Sequence, residues 1–159
     1  MHTHNVMVES LEEMNTMHKV VYNSDFGGFS LSVEAIFLYY KKKGIKVYLY
    51  KYYPEKGQYI GINEKDANKI SEFYAHFSNK NLGNTVSTIP EENYIYYHDI
   101  SRHDKDLVAV VEELGERANG TCANLDIMEI DSNLYRIEDY DGFESIITPD
   151  ASDWIQIEE

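Results

Sequence analysis

Residues 18–44 read HKVVYNSDFGGFSLSVEAIFLYYKKKG and contain a short β-branched run, a glycine-rich turn and a segment with helical spacing. Apolar residues recur at the three-to-four spacing of one helix face: Val33, Ile36, Phe37 and Tyr40. Ser32 suits the N-cap position, and Gly44, which follows three lysines, suits the position after the last turn. The stretch therefore predicts a strand, a tight turn and an α-helix in succession.

Further elements follow downstream of this unit. The alternating run IKVYLYKYY at 45–53, followed by a PEKGQ turn, predicts an antiparallel hairpin. Helical spacing over residues 64–77 predicts a second α-helix. The next segment, 78–92, is long and contains glycine and proline, so it predicts a functional or mobile loop.

The C-terminal half predicts more sheet and a third helix. NYIYYHDI at 93–100 is typical of a strand, and the following helix is expected to begin after Asp104 as N-cap and to end at Gly115. Residues 123–148, with a turn at Asp141-Gly142, predict a three-stranded meander. The fold class expected is α+β, with an antiparallel or mixed sheet covered by about three helices in a single domain.

The domain is expected to span residues 18–148, between a variable lead-in at 1–17 and an acidic tail at 149–159. The lead-in lacks the basic and apolar regions of a secretory signal. The tail contains Trp154, Ile155 and Ile157, which a solvated segment would not need. A partner surface is therefore expected to bury them.

Composition limits the function classes. The chain has 159 residues, 43% hydrophobic and 26% charged, with a net charge of −14. This charge repels nucleic-acid backbones and anionic lipid surfaces, so neither DNA, RNA nor a membrane is expected as a partner. The single cysteine, Cys122, permits no internal disulfide, and no apolar run is long enough to span a bilayer. A cytoplasmic location is expected.

The glycine-rich turn is the first candidate site. Such a turn can direct backbone N–H groups and a helix dipole at an anion, and glycine allows a phosphate to approach closely. It is neither a Walker A loop nor a dinucleotide fingerprint. Its candidate ligand-binding residues are Asn23, Phe26, Gly27, Gly28, Phe29, Ser30 and Ser32. The alternative is a strand-to-helix turn with no ligand.

Arg102, beside the third helix, is the second candidate. An arginine at a helix N-terminus can hold a phosphate or carboxylate bidentately, and Asp104 is included with it as a ligand-binding residue. The alternative for Arg102 is a salt bridge to one of the many acids. The nearby His98 and His103 do not repeat on one helix face, so no metal ligand is assigned.

Tyrosine is abundant, with 14 residues that cluster at 39–40, 48–53 and 94–97. Tyrosine rings suit nucleobases and protein interfaces, although strand preference alone explains many of them. No nucleophile with an oriented base and no distinct carboxylate pair can be named. The sequence therefore assigns no catalytic residue and no cofactor, and an enzyme is less expected than a binding protein.

Three segments together resemble a known family. KVVYNSDFGGFSLS, ISRHDKDLVAVVEELGERANGTCANLDIMEI and YRIEDYDGFESI are similar to the pattern N-x-x-[FY]-G-G-F-x-L-S, R-x-D-x-x-L-V-x-V-V-E-E-L-G and E-Y-D-G. This pattern belongs to a family of small, mostly uncharacterised proteins of phages, large DNA viruses and bacteria. Similar chains often carry Arg-Thr-Asp-Pro where this chain has Arg-His-Asp-Lys at 102–105, so the proline at the helix start is absent.

The resemblance implies a virus-associated accessory protein in the host cytoplasm. Some small phage proteins are oligomeric sponges that bind nucleotide immune signals and keep them from host effectors. The expected function is therefore sequestration of a small, anionic, nucleotide-type signal without catalysis. The alternative is a structural or protein-interaction module that uses the tyrosine-rich hairpin and the Trp154 tail.

Two further expectations concern geometry. The Gly27-Gly28 turn and Arg102 both lie where a strand precedes a helix, so they are expected to line one pocket. The hairpin at 45–62 and the apolar tail residues predict a homo-oligomer.

Overall fold

Antiparallel sheets and helices build the part of the chain that the structure, a computed structural model, describes: residues 17–149 and 157–158. The strands are β1 His18–Asn23, β2 Tyr48–Tyr53, β3 Gln58–Ile62, β4 Ala75–Ser78, β5 Thr85–Val86, β6 Leu125–Ile130, β7 Arg136–Tyr140 and β8 Phe143–Ile147. The α-helices are α1 Val33–Lys43 and α2 Lys105–Leu114. Short 3₁₀ helices lie at Glu64–Lys69, Glu72–Tyr74, Glu91–Asn93, Tyr97–Asp99 and Gly115–Ala118. The α+β class in one domain is confirmed.

Helix α1 has the caps that the sequence predicts. The Ser32 hydroxyl accepts a hydrogen bond from the Ala35 amide at 3.1 Å. Gly44 ends the helix with φ 74°, and its amide donates to the Lys41 carbonyl. Asp104 likewise caps α2, which ends at Gly115. Both helices carry an apolar stripe along one face, and they bury these stripes in one core.

The α-helix predicted at 64–77 is wrong. Two short 3₁₀ helices form there, and the chain then enters β4. The side chains of Asn63 and Ser71 accept hydrogen bonds from the amides of Lys65 and Phe73, so each starts a separate turn. Phe77 is then buried opposite Leu49 of β2. Sheet pairing thus overrides a helical spacing of apolar residues.

Strands β2 to β5 form one sheet in the order β4-β2-β3-β5. One face of this sheet packs on α1, where the rings of Phe37 and Phe77 meet edge to face at 5.2 Å. The alternate residues of β2, Tyr48, Tyr50 and Tyr52, lie on the opposite face. The predicted hairpin at 45–62 is therefore confirmed as β2 and β3.

The strand predicted at 93–100 is wrong. Tyr94 makes an isolated bridge with Ser78, and the Ile95 amide donates to the Phe77 carbonyl at 2.9 Å. The chain then turns into a 3₁₀ helix at Tyr97–Asp99. The preceding 3₁₀ helix begins after Pro90, which leaves too few extended residues for a full ladder.

The predicted three-stranded meander is also wrong. β6 pairs with β1 along its whole length, from His18 opposite Ile130 to Asn23 opposite Leu125. β7 and β8 form a separate hairpin. β1 is therefore packed on both faces: Val21 faces the helical core, whereas Val20 faces a small cluster with Ile146 of β8.

Other expectations lie partly outside the described residues. Outside the described residues lie positions 1–16 of the predicted lead-in, Trp154 and Ile155. Ile157 is described and is exposed. None of the described helices has the length and apolarity needed to cross a membrane.

The turn between β7 and β8 packs directly on the glycine turn. Gly142 has φ 89°, and a Cβ atom on it would overlap the backbone of Gly27 and Gly28. Gly57, in the turn between β2 and β3, also has a positive φ, of 60°, but a Cβ there would meet open space.

We expect Gly142→Ala to lower the free energy of unfolding by roughly 3 kcal/mol or more, because it adds a steric overlap to the strain of a positive φ. Gly57→Ala is the matched control and should cost only about 1 to 2 kcal/mol. Urea denaturation of both variants measures the difference. Equal losses would show that the contact between the two turns is loose.

Candidate functional site

Asn23 connects three loops around the glycine turn. Its side chain is fully buried, and its Nδ2 donates to the carbonyls of Asp25 at 2.6 Å and Gly142 at 2.7 Å. Its Oδ1 accepts from the Asn124 amide at 2.8 Å. These contacts occupy both donor hydrogens of the amide and one acceptor position, so the structure uses Asn23 to hold loops together.

Arg102 forms a bidentate ion pair with Glu144. The Nη1–Oε1 and Nη2–Oε2 distances are 2.6 and 2.8 Å. The Arg102 side chain is 20% exposed and that of Glu144 is 5% exposed. The guanidinium carbon lies 3.5 Å from the centroid of the Phe29 ring, and Glu144 also accepts from the Asn23 amide. This is the salt-bridge alternative that the sequence analysis left open for Arg102.

Arg102 and the glycine turn are neighbours, as expected, through Phe29 and Asn23. The β7–β8 hairpin, however, packs on both of them, through Gly142 on the turn and Glu144 on the arginine. Three concave regions of the structure are lined mainly by other segments, although Ser32 borders one of them. Ligand contact by Arg102 and the residues of the glycine turn, and a pocket shared by them, stay predictions.

The remaining candidate residues also make internal contacts. Ser32 caps α1, and its hydroxyl donates to the Arg117 carbonyl; it borders a concavity of about 370 Å³. The Ser30 side chain packs against Gly120, where a Cβ atom would overlap it. Phe26 differs from the others because its ring is 56% exposed.

Asp104 joins the two helices. It accepts hydrogen bonds from the Asp106 amide at 2.8 Å and from the Tyr39 hydroxyl at 3.0 Å, and its carboxylate lies 2.9 Å from Lys43 Nζ. Burial alone would raise the pKa of Asp104, but these hydrogen bonds together lower it below its usual value. The residue therefore acts as a charged cap at neutral pH.

The largest of the three concavities, about 840 Å³, is lined by the end of α1, by β2 and β3 and by the loop at 81–84. We call it the lysine concavity and define it by Lys41, Lys46, Tyr48, Asn81 and Asn84, which all line it. It combines two ammonium groups, a phenol ring and two amides. Such a mixture of one aromatic surface and a few polar groups is typical of a ligand site.

The two lysines of the lysine concavity have different surroundings. Lys46 Nζ lies 5.4 Å from the centroid of the Tyr48 ring, which orients it beside an aromatic surface. Lys41 Nζ lies 3.5 Å from the carboxylate of Glu64, and both side chains are well exposed. An anion that enters the concavity would compete with Glu64 for Lys41.

The carbonyl groups at the end of α1 do not oppose an anion strongly. The Gly44 amide donates to the Lys41 carbonyl at 3.1 Å, and the Ile45 amide donates to the Tyr40 carbonyl at 2.9 Å. These bonds occupy carbonyls that would otherwise carry the negative end of the helix dipole.

The loop wall of the lysine concavity is fixed by Tyr50. This side chain is almost fully buried; its hydroxyl donates to the Gly83 carbonyl and accepts from the Leu82 amide, both at 2.9 Å. The Asn84 carbonyl accepts from the Gly61 amide at 2.8 Å. The loop therefore holds Asn81 and Asn84 in place by hydrogen bonds to the sheet.

An aromatic stripe crosses the sheet face that α1 does not cover. Neighbouring ring centroids lie 4.7 to 5.8 Å apart along Tyr52, Tyr59, His76, Tyr94 and Tyr96. His76 Nδ1 lies 2.7 Å from the Tyr94 hydroxyl, and burial lowers the pKa of His76. Burial therefore favours the neutral form of His76 within the stripe.

Sequence reasoning missed the lysine concavity because its residues lie on three separate segments. Lys41 was interpreted only as a partner of the helix dipole, and Asn81 and Asn84 fall in a loop without a motif. The available signal was local: four lysines occur within residues 41–46, directly before the aromatic strand β2.

Among residues 17–149 and 157–158, no three histidine, cysteine, aspartate or glutamate side chains come together as a metal site. Cys122 is exposed and lies against Gly27. The chain matches no protein-family model, no curated protein and no solved structure. The interpretation of the site therefore depends on its own geometry.

We expect Arg102→Ala to cost about 3 to 5 kcal/mol of unfolding free energy, because it leaves the Glu144 carboxylate buried without its partner. Lys19→Ala is the matched control: Lys19 pairs with Glu112 at 3.3 Å, both are exposed, and the loss should be at most about 1 kcal/mol. Denaturant unfolding measures both. Unchanged stability of Arg102→Ala would return Arg102 to the candidate ligand-binding residues.

Proposed function

We propose that this protein is a non-catalytic binding protein that holds a small, anionic, nucleotide-type ligand in the lysine concavity. The observation that supports this proposal is the placement of Lys46 over the Tyr48 ring in the lining of an 840 Å³ concavity. A ring can stack a base, and an adjacent ammonium group can bind a phosphate.

The size of the concavity fits this ligand class. Pockets for small molecules and cofactors commonly measure about 300 to 1,000 Å³. The Asn81 and Asn84 side chains can donate and accept hydrogen bonds at a base edge or a ribose. A nucleic-acid polymer is not needed to explain this surface, and the net charge of −14 disfavours binding of such a polymer.

The overall acidity does not prevent anion binding at this place. Fields of exposed charges are screened within about 8 to 10 Å at physiological salt. The residues that line the concavity contribute two lysines, Lys41 and Lys46, against one acid, Glu64. The local charge is therefore positive in a negative protein.

The resemblance to small phage and viral proteins supports a biological role for such binding. We propose that the protein sequesters a nucleotide immune signal in the host cytoplasm and keeps it from its effector. Binding alone performs this function, so no catalytic group is needed. Mass spectrometry of small molecules extracted from the purified protein tests whether such a ligand is retained.

Two substitutions should change affinity in opposite directions. Lys46→Gln should weaken binding of a nucleoside monophosphate or cyclic dinucleotide by about 1.5 to 3 kcal/mol, because it removes a charge-assisted hydrogen bond. Glu64→Gln should strengthen binding, because Lys41 loses the carboxylate that competes with the ligand. Isothermal titration calorimetry measures both.

Lys105→Gln and Glu55→Gln are the matched controls, since both residues are exposed and neither lines the concavity. Each makes the same chemical change elsewhere and should leave affinity unchanged. If all four variants bind equally, or if no nucleotide binds the intact protein, the lysine concavity is not the site.

The second candidate function is a protein-interaction module, with the aromatic stripe as its surface. Its supporting observation is that Tyr96, a member of the stripe, exposes more than half of its surface, as do Phe73 and Tyr74 just before β4. Large aromatic residues at the surface often mark interfaces. For either function, we propose a homo-oligomer.

Light scattering should give a mass of at least twice 18.5 kDa, the mass of one chain. Tyr96→Asp should shift this mass toward the monomer, because a charge in an aromatic interface costs desolvation energy. The control is Phe26→Asp, which places the same charge on a different exposed ring. A monomeric mass for the intact protein at working concentration would exclude the oligomer.

A further inference from the structure

Three aromatic side chains form an exposed group where the glycine turn meets the β7–β8 turn. We call it the aromatic corner and define it by Phe26, Tyr140 and Phe143, which are 56%, 78% and 37% exposed. The rings of Phe26 and Tyr140 lie 6.5 Å apart at 70°, and those of Phe26 and Phe143 lie 5.5 Å apart at 45°. The three rings contact one another, but each residue stays partly exposed to solvent.

The backbone beneath the aromatic corner is held firmly. The Asn23 side chain donates to the Gly142 carbonyl, and the Gly27 amide donates to the Asp141 carbonyl at 3.3 Å. Gly142 packs against the backbone of Gly28. The two turns are thus joined, and the rings are placed before any partner arrives. Preorganised aromatic residues of this kind commonly dominate binding energy.

The charges beside the aromatic corner are acidic. Asp25 and Asp139 each accept a backbone hydrogen bond through Oδ1, from the amides of Phe26 and Gly142, both at 2.7 Å. These bonds fix both carboxylates in the two segments that carry the rings. Asp141 is exposed in the same turn.

Basic residues are sparse in the segments that build the aromatic corner. Residues 20–40 contain no lysine or arginine, and residues 118–149 contain only Arg136. Arg136 lies on the same face of β7 as Tyr140 and is paired with Glu138 at 3.0 Å. The charge around the rings therefore favours a cation and opposes an anion.

We propose that the aromatic corner binds an arginine or lysine side chain in a basic segment of a partner protein. A cation within about 6 Å of a ring centroid is attracted to the ring face, and two rings at a steep angle can contact one cation together. The carboxylates of Asp25 and Asp139 complete the recognition. This inference concerns a different surface from the lysine concavity and does not depend on it.

The probe is an acetylated (Gly-Arg)₄ amide peptide at physiological salt, and its control is the same peptide with citrulline, which keeps the shape of arginine without its charge. Affinity is measured by calorimetry. Phe26→Ala and Tyr140→Ala should each weaken binding three- to tenfold. Tyr140→Phe should retain affinity because it keeps the ring.

Leu134→Ala is the matched control, since it removes a comparably exposed apolar side chain that belongs to neither the aromatic corner nor the aromatic stripe. Circular dichroism confirms that each variant is folded. Equal affinity for all variants would mean that net charge alone attracts the peptide, and this result would overturn the proposal. Equal binding of the citrulline peptide, or no binding of the arginine peptide, would also overturn it. The proposal would also be overturned if the protein is a dimer that Tyr140→Ala dissociates while peptide binding is unchanged. The aromatic corner would then bind a second copy of the chain.

Discussion

The buried ion pair between Arg102 and Glu144 is the interaction on which the C-terminal half of the structure depends. Glu144 is the second residue of β8, and Arg102 lies just before α2, so the pair joins the outer hairpin to the helical core. The Arg102 carbonyl also accepts a hydrogen bond from the Val21 amide. β1 is thereby held between the helix layer and the hairpin. A charge buried without its partner is costly, so this geometry selects one position for the hairpin.

That position has consequences for the glycine turn. Once Glu144 is fixed, Gly142 must lie against Gly27 and Gly28, where no Cβ atom fits. The requirement for glycine at position 142 therefore comes from close packing of the two turns, and no bound anion is needed to explain it. The same packing brings Phe26 and Tyr140 together at the surface, although 114 positions separate them in the chain. The hairpin thus packs on both the glycine turn and Arg102 and forms the aromatic corner beside them.

Local signals predicted the local structure. The caps of α1 and α2 and the alternation of the β2–β3 hairpin are encoded within a few neighbouring residues, and the structure confirms them. Three predictions were wrong: the helix at 64–77, the strand at 93–100 and the meander. All three depend on which segments of the chain pair with each other. β1 pairs with β6 across about a hundred residues, and Asn23 bonds Gly142 at a separation of 119. Such partners depend on tertiary packing, which one sequence does not display. The lysine concavity was missed for the same reason. The glycine turn was predicted from local sequence, but its contact with Gly142 involves a residue far along the chain.

The lysine concavity and the aromatic corner have opposite local charge, and the fold keeps them apart. Lys41 and Gly44, at the C-terminal end of α1, line the concavity, whereas Phe26 precedes the N-terminal end of the same helix. At 1.5 Å per residue, this helix alone is about 16 Å long, which is about twice the screening length at physiological salt. Each surface therefore responds mainly to its own charges. An acidic chain can in this way present a cationic concavity to a small anion and an acidic aromatic surface to a basic partner, because a net charge of −14 describes the whole chain and neither surface.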